Sequence, residues 1–416
     1  MQKLTIHGPV FLWLQGLTFL CFGSLMRTPI WHGMDGEIIR EAYALNLDPG
    51  AMFGHLGFYF SQPLLQLAFL LEYRLFGLHT AGYIGTNLFV HACNAFIIYM
   101  LVNMLFPRKH MAMMAASLFV LGVGSYGKTF MAIYQLESLL VAGFHLMVLY
   151  FFIRNDFRHE GRLFSPYLIV GLLLFLLAGM TKATSFSLIL SLAAYKAFFN
   201  PLRRGRVFLS VDLLLLVAVG IAFHYAQATW GFREPSVFQA TVAPKYYSLM
   251  SIKNIFRYLN LMFFPLQQSP ILETSPGWLI VLFHARTVIR VFLTLSIISY
   301  SFFGFVFGSR AIRFFIAWTF ISLLPFTAHT ESGIWLNLRH LYLTSLGFCV
   351  ILAAGVDGTK GLLAAKRRVR YVPYLLPLVF VAMSLGLTHK LNRSNQIKAT
   401  EPEAVLMRQI VAETCR

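Results

Sequence analysis

The stretch "WHGMDGEIIREAYALNLD", residues 31–48, gathers Asp35, Glu37, Glu41 and Asp48, four of the sixteen acids in a chain of 416 residues. It follows the first apolar run directly, which sets these carboxylates at the edge of a membrane. A carboxylate near lipid and an aromatic ring such as Trp31 is partly desolvated, which suits it to taking a proton from a hydroxyl. Asp35 is the candidate for that general base, or for a charge stabiliser. From Gly36 to Asn46 the pattern is helical: Ile38, Ala42 and Leu45 share one face, while Glu37, Arg40, Glu41 and Ala44 share another. Asp35 therefore opens a short amphipathic helix on the outer leaflet. A plainer reading stands beside the catalytic one: Asp35 and Glu37 accept hydrogen bonds from the first free N–H groups and suit the helix dipole. Two residues apart, they point in different directions, so only one enters a given site. A third reading gathers His32, Asp35, Glu37 and His55 around a divalent metal ion.

The elements that must position these groups are membrane helices. The sequence is 58% hydrophobic and 12% charged, more apolar surface than a soluble domain hides. Alternating β-barrel strands are absent, so the expected fold is all-α, a polytopic bundle of about eleven spans. These fall at about 9–26, 79–106, 111–127, 129–153, 165–181, 183–199, 207–230, 286–307, 311–327, 340–356 and 371–389. The first run ends in "SLMRTPIW" with no small-residue cleavage pattern, and is read as a retained helix. Residues 1–390 are expected to form one transmembrane domain, with 391–416 a polar tail able to form a short helix.

Five short basic loops, at 107–110, 154–162, 201–206, 309–313 and 366–370, fall on one side with these spans. That side is expected to be cytoplasmic and to include the N-terminus. The other side receives the loop at 27–78, the segment 231–285 and the tail. Residues 57–78 and 251–266 are read as interface or re-entrant helices, since counting either as a crossing inverts the basic loops. The net charge of +18 suits loop orientation and anionic head groups, not nucleic acid. The four cysteines form no CxxC pair, so neither a disulfide framework nor a zinc site is expected.

Two blocks resemble a known family. "SQPLLQLAFLLEYRLFGLHTAGYIGTNLFVHACNAFIIYMLVNMLF" (61–106), with Pro63-Leu64, "YRLFGL", Gly82-Tyr83, Asn87, His91, Asn94 and Tyr99, is similar to the segment after the first luminal loop of GT-C class membrane glycosyltransferases. The nearest likeness is to the transmembrane and tetratricopeptide-repeat O-mannosyltransferases and their bacterial relatives. "RHLYLTSLGF" (339–348), "SLLPF" (322–326) and "GMTKATS" (179–185) extend it, although the tetratricopeptide array is missing. The resemblance implies transfer of a sugar from a polyprenyl-phosphate donor to a protein or glycan acceptor outside the cytoplasm. Asp35 matches the family's loop acid, but Gly36 stands where a second acid is often found.

On that footing Arg339, with His340 and Tyr342 beside it, is expected to bind the lipid phosphate, joined by Lys182 and Lys128 in tight outer turns. The alternative for Arg339 is an anchor at a helix end. Glu137, in an apolar span, assists at the acceptor site or pairs structurally with Lys128 or Lys182. Asn87, His91 and Asn94 recur on one helix face; His91 is a substrate-binding candidate by resemblance, whereas interhelical hydrogen bonding is the reading from spacing. Glu331 is read as a solvated loop carboxylate or a lining of the donor cleft. A non-catalytic GT-C-like scaffold, bound to a membrane-protein partner, is the alternative function; a transporter ranks last. The expected setting is a bacterial inner membrane before an organelle membrane, with the site extracytoplasmic. No cofactor is certain; a divalent metal ion is the one considered.

Overall fold

The computed structural model describes residues 7–27, 29, 33–50, 62–106, 108–122, 130–159, 165–181, 187–199, 210–229, 247–263, 286–328, 338–363 and 371–415. Among them every regular element is a helix. In chain order these are α1 (His7–Phe22), α2 (Gly33–Leu47), α3 (Pro63–Phe76), α4 (Thr80–Leu105), α5 (Lys109–Gly122), α6 (Leu136–His159), α7 (Pro166–Thr181) and α8 (Ser187–Phe199). Then come α9 (Val211–Thr229), α10 (Leu249–Phe263), α11 (Arg286–Phe307), α12 (Arg310–Ile321), α13 (Leu341–Leu363), α14 (Leu375–Lys398) and α15 (Pro402–Thr414). Each segment predicted to span has its helix. Five are long and apolar enough to cross a membrane: 7–27, 80–105, 133–157, 338–360 and 372–398. Shorter apolar helices lie at 109–122, 166–181, 187–199, 211–223 and 291–307. The protein is an integral membrane protein with a polytopic helical fold.

α4 is the hub. Its polar face binds the chain leading into α6: Asn87 Nδ2 donates to Ala132 O and Asn94 Nδ2 to Leu139 O, both at 2.9 Å. Such bonds average only about 0.6 kcal/mol between membrane helices, so they set register more than stability. α12 and α13 approach closely at Gly347, where an added Cβ would meet Thr319 Oγ1 at 2.2 Å and Phe315 O at 2.6 Å. Glycine is the residue that admits this approach. Gly77, at φ 54°, makes the turn from α3 into α4.

The two ends of the bundle differ. At one, Asp357 of α13 pairs with Arg108 and His110, and Lys196 of α8 lies between Asp156 of α6 at 3.4 Å and Asp212 of α9 at 2.5 Å. At the other, α2, α3 and α15 lie across the helix ends and bury Ile38, Ile39, Leu65, Phe69, Ile133 and Val411 in one apolar cluster. α10, amphipathic and with Asn254, Tyr258 and Leu259 buried, seats beside α13.

Two elements depart from the predicted boundaries. α14 runs nine residues beyond the predicted end at 389, through Lys398, because Asn392 and Asn395 are buried against protein rather than left in solvent. The polar tail is therefore not a separate segment from residue 391: its last helix, α15, returns to pack on α2. It seats closely on Gly36, where a Cβ would stand 2.6 Å from the flexible end of Met407 at Sδ and 3.2 Å from Val411 Cγ2.

Candidate active site at the α2 end

Asp35 lies in the first turn of α2 and is 2% exposed. Its Oδ1 accepts from the backbone N–H of Tyr134 at 3.2 Å. Tyr134 belongs to a single 3-10 turn, Ile133–Gln135, that leads straight into α6. The carboxylate is thus not merely a cap on its own helix; it also binds a second element. Over the Tyr134 ring stands the guanidinium of Arg339, its carbon 5.8 Å from the ring centroid. An acid from near the start of the sequence and a cation from far along it therefore both meet Tyr134, one at its backbone amide and the other over its ring. Cation–π contacts of this kind contribute about 0.5–2 kcal/mol according to their desolvation, enough to orient the guanidinium.

Arg339 and His340 close the 3-10 turn Leu338–His340 that opens α13, and Tyr342 follows in its first helical turn. All three line one cleft, with Ser322 and Phe326 from just beyond the end of α12 and His145 from α6. His340 is held from two sides: its ring stacks on Phe326 at 4.0 Å and 11°, and its Nδ1 is 3.1 Å from the Tyr258 hydroxyl of α10. The segment expected to be a surface or re-entrant helix thereby locks a wall of the cleft.

Tyr342 is 1% exposed, and its hydroxyl accepts from Asn94 Nδ2 at 3.1 Å and lies 2.8 Å from His91 Nδ1. The hydroxyl proton then goes to His91 Nδ1, leaving Nε2–H to donate to Val120 O at 3.3 Å. His91 is 0% exposed, with both ring nitrogens engaged. It packs behind Tyr342, and its bonds to α13 and α5 are of the interhelical kind that its spacing suggests. Asn87 and Asn94 do the same kind of work.

Glu37 is exposed while Asp35 is buried, as their spacing requires. Glu137 is 6% exposed in the first turn of α6, one turn from Tyr134. Lys128, Lys182, Glu331, His32 and His55 lie outside the described residues. Among the described residues no three of His, Cys, Asp and Glu stand together as a metal site. Two side chains of the site are not evident in the sequence analysis. Tyr134 carries no motif that marks it. His145 does carry a signal, an ionisable ring in the middle of the apolar run "LVAGFHLMVLY".

No protein-family model matches the chain, and no curated protein matches it by sequence. Solved structures do. ArnT from Cupriavidus metallidurans in the apo state is 14% identical with a TM-score of 0.52, over 100% of this chain and 73% of that one. The Archaeoglobus fulgidus oligosaccharyltransferase in its apo form is 12% identical with a TM-score of 0.51, over 97% of this chain and 59% of that one. The oligosaccharyltransferase AglB of the same organism, in complex with an inhibitory peptide and a dolichol-phosphate, gives 12% and 0.53 over 95% and 56%. The chain thus spans less than two thirds of the length of both oligosaccharyltransferase structures. A helical membrane bundle that aligns to these structures over 95–100% of its length shares their fold, the GT-C fold.

Proposed function

We propose that this protein is a membrane glycosyltransferase that moves a sugar from a polyprenyl-phosphate carrier to an acceptor hydroxyl. The observation that carries the reading is the pairing of Asp35 and Arg339 about Tyr134. Arg339 holds the carrier phosphate with a fork of N–H donors. Asp35 takes the proton of the acceptor hydroxyl, whose oxygen bonds to the anomeric carbon as the bond from that carbon to the phosphate oxygen breaks. The carrier phosphate leaves with its negative charge against the guanidinium. Glu137 serves the acceptor side of the same site. The dolichol-phosphate in the AglB structure supports a lipid-linked donor for a fold of this kind. The acceptor is a protein or glycan, and the isoprenoid runs into the bilayer between the helices.

The site faces the extracytoplasmic side of the membrane, that of a bacterial inner membrane. This orientation is supported by the basic groups Arg108, His110 and Lys196, which lie at the opposite end of the bundle from α2.

The test is Asp35→Asn in the full chain, reconstituted with polyprenyl-phosphoryl sugar and acceptor. Asn keeps the acceptor oxygen for the Tyr134 N–H and removes the charge. Transfer is expected to fall by about 10²–10⁴, the usual contribution of a positioned base, with carrier binding unchanged. Full activity in this variant overturns the mechanism.

A further inference from the structure

Below Arg339 the cleft reaches a side chain that the proposed reaction does not use. His145 is 1% exposed and lines the cavity, and neither Nδ1 nor Nε2 makes a protein hydrogen bond of acceptable geometry. The carbonyl of Val141, one turn back on α6, and the edge of Trp318, 6.3 Å between ring centroids, lie against its ring. Polar side chains buried in membrane protein normally find partners. Here the ring has no partner of good geometry beyond its own helix's Val141 carbonyl, in a cleft whose other lining groups include the hydroxyls of Ser138, Ser187 and Ser322 and the Arg339 guanidinium. The water-accessible space there is about 40 Å³, room for a hydroxyl group or a few waters.

The chemistry of those nitrogens selects the ligand. Burial disfavours a charged ring, so the imidazole stands neutral, with one N–H donor and one acceptor nitrogen. That pair matches a hydroxyl, which both gives and takes a hydrogen bond. It does not match an anion, which takes only, nor an isoprenoid, which does neither. We propose that His145 reads a ring hydroxyl of the sugar on the lipid-linked donor and so sets which sugar the enzyme accepts. This rests on the reading of the site as a donor site. His145 is then a specificity residue, and Arg339 remains the phosphate holder.

The experiment separates the two. Full-length protein in nanodiscs is titrated with decaprenyl phosphate and with its glucosyl, mannosyl and galactosyl derivatives. Wild type is expected to bind at least one glycosylated carrier about tenfold or more tighter than the bare carrier phosphate, the effect of pairing otherwise unsatisfied buried groups. His145→Phe, which keeps the ring and loses both nitrogens, should erase that gap while leaving the bare carrier within about twofold of wild type. His145→Gln, which keeps a donor and an acceptor, should restore part of it. The melting temperature of His145→Phe should equal or exceed that of wild type, because unpaired nitrogens have been replaced by apolar carbon. A gap that survives in His145→Phe means that the histidine serves an internal water only, and overturns the inference. So does an equal loss for bare and glycosylated carriers, or the absence of any gap in wild type. Failure of the donor-site reading looks different: Arg339→Ala would then leave decaprenyl phosphate binding unchanged, or wild type would not bind it at all.

Discussion

The backbone N–H of Tyr134 donates to Oδ1 of Asp35 across 3.2 Å, which ties the first turn of α2 to the entry of α6. One oxygen of the carboxylate is thereby committed to structure, and substitutions at Asp35 divide charge from hydrogen bonding. Asp35→Ala leaves the Tyr134 amide, in a residue only 8% exposed, without this acceptor. An unsatisfied buried N–H costs about 1–3 kcal/mol. Asp35→Ala is expected to melt several degrees below Asp35→Asn, with both inactive, as differential scanning fluorimetry in detergent would record.

Arg339→Lys tests the guanidinium itself. Lysine keeps the charge but loses both the planar fork and much of the stacking on Tyr134. Affinity for a polyprenyl phosphate should fall about tenfold, the weight of one charge-assisted hydrogen bond. Thermal stability should stay close to wild type. Equal affinity in the lysine variant would reduce Arg339 to a point charge.

Glu72 supplies a pH dependence. It is 5% exposed on α3, and burial pushes its carboxyl up to about 8, the hydroxyl of Thr86 drawing it back only in part. A folded-state pKa above the unfolded value means the native protein holds a proton that the unfolded chain releases. The stability from Glu72 is therefore fully present below about pH 4.5 and is lost as pH rises through about 8. Glu72→Gln should flatten the melting-temperature profile between those limits and raise its alkaline end. A profile as steep in the variant as in wild type would assign the slope to other groups.

Gly347→Ala should be costly for so small a change. The new methyl would fall 2.6 Å from the Phe315 carbonyl and 2.2 Å from Thr319 Oγ1. Backbone has little freedom to withdraw, so a loss of about 1–3 kcal/mol is expected, seen as a lower melting temperature and weaker carrier binding as α13 shifts. Gly36→Ala is the contrasting case. The neighbour there is the flexible end of Met407, and a smaller loss is expected, whereas Gly36→Glu, which creates a paired acid, should dislodge α15.

Hydropathy made some of these elements legible and left others hidden. The runs at 80–105, 166–181 and 286–307 end at breaks in apolar character, and their helices end within about a residue of the predicted limits. The interface placement expected for α3 and α10 came from counting basic loops, not from hydropathy. The continuation of α14 to Lys398 did not show, because the segment is polar and its helix depends on a protein surface around Asn392 and Asn395. A meeting of Asp35 and Arg339 in one site was an expectation from the loop count and the family likeness, since no local pattern joins residues so distant in sequence. Tyr134, their common neighbour, stayed hidden for the same reason. His145 was visible as an odd ring in an apolar run, but only its unpaired nitrogens within a cleft give that oddity a meaning.

The seating of Met407 and Val411 against Gly36 and its apolar neighbours carries a consequence for biogenesis. α2 emerges early from the ribosome, yet the helix that covers it is synthesised last among the described elements. Throughout elongation the apolar face of α2 stays without this cover, and the cluster matures only when α15 has been made and has docked. Fusing a bulky reporter beyond Cys415 should accordingly slow maturation far more than one attached before α1.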